Sequence, residues 1–162
     1  PEQNIAHAMT ALMAQNKGAG KIDRMKEGFR SGIILEIIYG ILIFIICFVF
    51  ARPLMLMFVK DEEVIGHGVT YLHLISVMYL LPALTNGIQG FFRGIGDLKI
   101  TLISSFINMA LRVLAAAPLV LIWKMGIEAL PYSYLAGWIG MLVAETPLLL
   151  KTYKTWGKKA GQ

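Results

Sequence analysis

Residues Gln89 to Val113 read QGFFRGIGDLKITLISSFINMALRV. An apolar segment ends in Phe91-Phe92. A basic, glycine-broken turn follows, Arg93-Gly94-Ile95-Gly96-Asp97-Leu98-Lys99, and a second apolar segment starts at once and carries Arg112. Two apolar runs of bilayer-crossing length joined by a short basic turn predict a membrane hairpin.

The rest of the chain repeats that plan. Of its 162 residues 57% are hydrophobic and 15% charged, against about 45–50% and about 25% in soluble domains. Apolar spans are expected over 31–50, 64–92, 100–122 and 126–150, with 1–16 as the end of a further helix and 151–162 as a polar tail. The fold class is therefore an all-α, polytopic integral membrane bundle. The chain opens inside a helical pattern, and it reads as the C-terminal piece of a longer protein. Asp23 is placed to cap a short helix, Gly18 and Gly20 to end the first one, and Leu54 to Val59 to lie at the interface. Pro82 should kink the second span, and Pro131 and Pro147 should break the last.

Charge sets the orientation. The loop 17–30, the turn 93–99 and the tail hold eleven Lys and Arg, and the opposite loops hold three: Arg52, Lys60 and Lys124. The positive-inside rule places the first group, with the C-terminus, in the cytoplasm of a cell-membrane protein. The net charge of +5 is spread between apolar runs, so it does not suggest nucleic acid. With one cysteine, Cys47, no internal disulfide and no cysteine metal cluster can form.

Polar residues inside the spans are the candidate sites. Arg112 lies near mid-bilayer with Asn108 one turn away, either as a lock to a carbonyl or acid on another helix or as part of a transport path. Glu36 and Glu145 each sit six residues inside a basic edge. Burial disfavours an ionised carboxyl, so each is a structural partner or a proton relay, and Pro147 can free a carbonyl near Glu145. Tyr79, Asn86 and Gln89 share roughly one face of the kinked span, as substrate contacts or interhelical hydrogen bonds. The nine methionines suit an adaptable wall or plain gap filling, and His67 and His73 fall at an interface. Gly18-Ala19-Gly20-Lys21 lacks the frame of a phosphate loop. Gly94-Ile95-Gly96-Asp97 lacks the second buried aspartate that an intramembrane protease requires. No enzymatic activity is indicated.

Three segments in order carry a resemblance: Ala14-Gln15-Asn16-Lys17-Gly18-Ala19-Gly20-Lys21 with Asp23-Arg24, Gly90-Phe91-Phe92-Arg93-Gly94-Ile95-Gly96-Asp97, and the span around Arg112. Together they resemble the C-terminal lobe of the multidrug and toxin extrusion (MATE) family. That resemblance implies twelve helices in two lobes, of which this chain is the end of the eighth and helices nine to twelve. It implies export of drugs or organic cations by alternating access, coupled to Na+ or H+, with no other cofactor. The bilayer and the N-terminal lobe would be its partners. A lipid-linked oligosaccharide flippase of the same superfamily, or a truncated non-transporting fragment, are the alternatives. One departure stands out: the tenth-helix aspartate of the norfloxacin-pump branch falls at Pro82.

Overall fold

The computed structural model describes residues 2–159, and every element in it is helical: α1 (Glu2–Gly18), α2 (Ile22–Val49), α3 (Ala51–Leu56), α4 (Glu62–Met78), α5 (Leu80–Gly94), α6 (Leu98–Leu121) and α7 (Ala129–Lys159). α2, α6 and α7 are long and apolar enough to cross a membrane, and α4 with α5, bent by 46° at their junction, are so when taken together as one span. The bend falls three residues before Pro82 rather than on it. Proline has no N–H for the Met78 carbonyl, so the ladder is interrupted there and resumes with Ala83 N–H on the Tyr79 carbonyl at 3.4 Å.

α5 is the central post. Nine of its 15 residues are buried, whereas α6 buries one residue, Ser104, out of 24. Glycines explain how α5 gets so close to its neighbours. A Cβ at Gly90 would lie 2.6 Å from the Ala6 carbonyl oxygen, and one at Gly94 would lie 2.6 Å from that of Thr10. The Gly90-x-x-x-Gly94 spacing thus lets α1 and α5 touch backbone to backbone in parallel. The Thr10 hydroxyl donates to the Gly90 carbonyl at 3.1 Å across that seam. α2 runs antiparallel to both, with Gly32 against Met9 and Gly87 against Ile33. α6 and α7 form an antiparallel pair on the other side of α5, closed by Gly137 and Gly140.

Beneath the basic turn, Phe91 and Phe92 are fully buried. Phe91 meets Phe29 edge-on at 5.0 Å and Trp156 at 5.2 Å, so the core draws on α2, α5 and α7 at once. The two basic turns end in the same way. Lys21 N–H returns to the Asn16 carbonyl and Gly20 N–H to that of Lys17; Asp97 returns to Phe92 and Gly96 to Arg93. Gly20 and Gly96 take φ of +68° and +82°, the left-handed conformation that a Schellman cap requires. The Lys17 ammonium donates to the Ile95 carbonyl, tying the two caps together at a helix C-terminus where positive charge is favoured. Both turns and the last turns of α7, at Thr152 and Trp156, gather at this one end.

Several sequence expectations change. α2 begins at Ile22, nine residues before the expected start of its span, so no separate short helix precedes it. Lys21 rather than Asp23 occupies the N-cap, and Asp23 makes an exposed 3.9 Å pair with Lys26. Neither Pro131 nor Pro147 breaks α7. Pro131 lies in the first turn, where backbone N–H groups have no helical acceptor anyway. The tail is helical to Lys159, and its last three residues lie outside the described residues. At the opposite end α3 forms a short helix against α4, fastened by an exposed Arg52–Glu62 pair at 2.9 Å.

Candidate functional site

The polar side chains inside the spans fall into three groups around α5. The first lies between α1, α2 and the α4–α5 break. Asn86 Nδ2 donates to Glu2 Oε1 at 2.8 Å, and the Tyr79 hydroxyl faces the same carboxylate. Glu36 of α2 is fully buried beside Gly87, close enough to Glu2 for the two carboxyls to repel. Neither carboxyl oxygen of Glu36 has a hydrogen-bond partner. Two carboxyls from different helices thus share one apolar interior with a phenol and an amide. Position 87 carries no Cβ; one placed there would lie 2.5 Å from Ile33 Cδ1 and at ordinary contact distance, 3.6 Å, from Glu36 Cγ, so glycine lets α5 close on this face of α2.

The second group lies between α5, α6 and α7. Gln89 Nε2 reaches Ser105 Oγ at 3.4 Å and Met141 Sδ at 3.9 Å, and Asn108 Nδ2 reaches the same sulfur at 3.5 Å. Glu145 is fully buried next to Ser104 and Gln89, with both carboxyl oxygens unpartnered. Tyr79, Asn86 and Gln89 therefore do not form one face toward one ligand. The break before Pro82 and the 3.6-residue period turn Tyr79 and Asn86 toward α1 and send Gln89 to α6 and α7.

Arg112 makes the third group. Its guanidinium carbon stands 3.7 Å from the centre of the Tyr134 ring, and that ring stacks on Trp138 at 5.5 Å. Its partner is thus an aromatic face on α7 instead of the carbonyl or acid expected from sequence. Gly137 makes room for the arginine stem and for the Asn108 carbonyl. Such a contact is worth about 0.5–2 kcal/mol, more when desolvated. His73 is similarly committed, its Nε2 lying 3.0 Å from the Phe48 carbonyl.

Glu2 and Tyr134 escaped the sequence reading. Glu2 shares a buried stripe with Ala6, Met9 and Met13 at helical spacing, and that stripe was the available signal. Tyr134 precedes Gly137 by three residues, which hints at a close helix crossing but not at what crosses there. Among the described residues no three His, Cys, Asp or Glu side chains are grouped to hold a metal ion.

Comparison with known proteins gives these groups a context. Residues 2–117 match the MatE family. The chain belongs to that family. This MATE chain is 26% identical over 166 residues to a probable multidrug resistance protein NorM of Thermotoga maritima, covering 99% of the chain and 34% of that protein. It is 30% identical to a probable multidrug resistance protein YoeA of Bacillus subtilis, covering 98% of the chain and 34% of that protein. It superposes with a TM-score of 0.85 on an inward-facing MATE transporter of the MOP superfamily, at 15% identity, covering 90% of the chain and 33% of that structure. The same score relates it to the MATE transporter ClbM in complex with Rb+, at 18% identity, covering 94% of the chain and 36% of that structure. The MATE chain spans about a third of the length of these relatives. It is a multi-pass membrane chain of a transporter family, and that family is not one of enzymes.

Proposed function

We propose that the chain is the C-terminal part of the second lobe of an ion-coupled multidrug exporter, and that Glu36 with Glu2 binds the coupling cation. The buried carboxyl of Glu36 carries the reading, because both its oxygens are without a partner beside a second carboxylate. A pair of carboxyls in an apolar interior is strongly disfavoured while both are ionised and unpaired. Uptake of H+ or Na+ removes that penalty, so the ion has differential affinity for states in which the two groups are near or apart. That is the requirement for driving alternating access.

The helix break supports the same reading. Tyr79 sits at the 46° bend and faces Glu2, so straightening or rotating α4 against α5 would change what surrounds the cation. Substrates would be drugs or organic cations, in keeping with the names of the two relatives. On this reading the turns 19–21 and 95–97 face the cytoplasm, and the other lobe closes the cavity. A lipid-linked oligosaccharide flippase is less well supported, because the mid-span arginine is committed to Tyr134.

The test is efflux of ethidium or norfloxacin by cells making the complete protein, with sodium and proton gradients collapsed separately. One gradient should support efflux. Glu36→Gln should lower the rate roughly 5-fold or more at unchanged membrane expression, the lower end of ordinary coupling energies. Wild-type rates in Glu36→Gln would exclude Glu36 as the coupling carboxyl.

A further inference from the structure

Glu145 stands apart from the Glu2–Glu36 site, on the far side of α5, and the coupling site proposed above does not use it. We infer that Glu145 is a second protonation site of the lobe, enclosed by α5, α6 and α7.

The side chain is fully buried and neither carboxyl oxygen is hydrogen-bonded. An ionised carboxylate needs donors aimed at it, and in this arrangement the hydrogen bonds of the nearby groups go elsewhere. The Ser104 hydroxyl donates to the Ile100 carbonyl at 2.8 Å and leans toward that of Thr101 at 3.3 Å. Gln89 turns its amide nitrogen toward Ser105 and Met141. Arg93, the charged group that faces Glu145 from α5, directs its Nε to the Gln89 carbonyl at 3.3 Å. From α6 the facing group is Ser104, which does not titrate.

What remains at Ser104 is lone pairs. A protonated Glu145 supplies the O–H that they can accept; an ionised one does not. Full burial with neither oxygen hydrogen-bonded favours the neutral acid, against the Arg93 charge that faces it. A fixed arrangement of this kind needs a route for the proton, and Glu145 lies six residues from Lys151, roughly 9 Å along the helix from the basic end. Two unpartnered carboxyls on opposite sides of α5 give the lobe capacity for two protons, or for one proton beside the cation held at Glu36.

The test is infrared difference spectroscopy of the complete protein in proteoliposomes, stepping the pH at fixed sodium. Wild type should show a protonated-carboxyl band that Glu145→Gln removes and Glu36→Gln leaves in place. Ser104→Ala keeps the carboxyl but removes its acceptor, so it should shift the same band. If every band survives Glu145→Gln, the site is excluded. Should that variant fail to fold, Ser104→Ala spectra superimposable on wild type would exclude it equally. A band that added sodium removes at fixed pH would assign the pocket to a metal cation and overturn the proton assignment. Loss of the band in Glu36→Gln alone would leave the coupling proposal standing and remove this one.

Discussion

Glu36 and Glu145 differ from Arg112 in what the bundle offers them. Arg112 has a ring to lie on, and the two glutamates have no hydrogen-bond partner. The arginine contact depends on the Tyr134 ring and not on its hydroxyl. Tyr134→Phe should therefore leave the melting temperature of the purified protein almost unchanged. Tyr134→Leu should lower stability by about 0.5–2 kcal/mol. Arg112→Lys should cost stability in the same range, because an ammonium does not stack as a planar guanidinium does. Thermal unfolding in detergent checks all three, and equal melting of the Phe and Leu variants would show that the ring contributes nothing. Arg112 was legible in the sequence as a mid-span charge that needs a partner. That its partner is aromatic was not, since Tyr134 is 22 residues away and meets it only through the α6–α7 hairpin.

At the scale of elements, α5 owes its central place to small residues on two sides. Gly90 and Gly94 admit the α1 backbone, and Gly87 admits Ile33 and Glu36. Backbone oxygens cannot give way as a flexible side-chain end can. Gly90→Ala should therefore destabilise by about 1–3 kcal/mol, the range for overpacking. Gly66→Ala on α4 has nothing within 4 Å of the added carbon. It should be neutral or stabilising by up to about 1 kcal/mol through helix propensity. Chemical unfolding of both variants in parallel measures the difference, and equal loss in the two would rule out the close α1–α5 seam. Gly96→Ala tests the cap: its φ of +82° strains any side chain, so a loss of about 1 kcal/mol is expected. The apolar helices and the kink were readable from apolar run length and Pro82. The bounds were less so, because helices continue past the apolar runs: α2 starts at Ile22 and α7 reaches Lys159 through residues polar enough to look like loops. Pro147 looked like a breaker, yet α7 runs through it; packing of this helix against α5 and α6 outweighs one missing hydrogen bond.

At the scale of the whole molecule, the two basic turns and the end of α7 lie together, and α3 with the start of α4 lies at the opposite end. If the basic end is cytoplasmic, thiol accessibility should divide accordingly. In a Cys47→Ser background, Gly18→Cys and Lys99→Cys should resist a membrane-impermeant maleimide in intact cells and react after lysis. Lys60→Cys should react in intact cells. The reverse pattern would invert the orientation. Residues along α6 such as Leu102, Phe106 and Met109 are 68–75% exposed, which suits contact with lipid.

By itself, the amino-acid order determined the membrane class, three to four candidate spans, the basic end and the family likeness. Each depends on quantities that accumulate along the chain: runs of apolar residues, charge between them, and ordered short motifs. Tertiary structure alone decided which polar groups meet. Glu2 and Asn86 are 84 positions apart and hydrogen-bonded, while Asn86 and Gln89 are three apart and face different helices. Side-chain meetings of that kind depend on helix rotation and crossing, which the glycines of α5 and α7 set. A carboxyl with no partner becomes visible only after every neighbour has been placed.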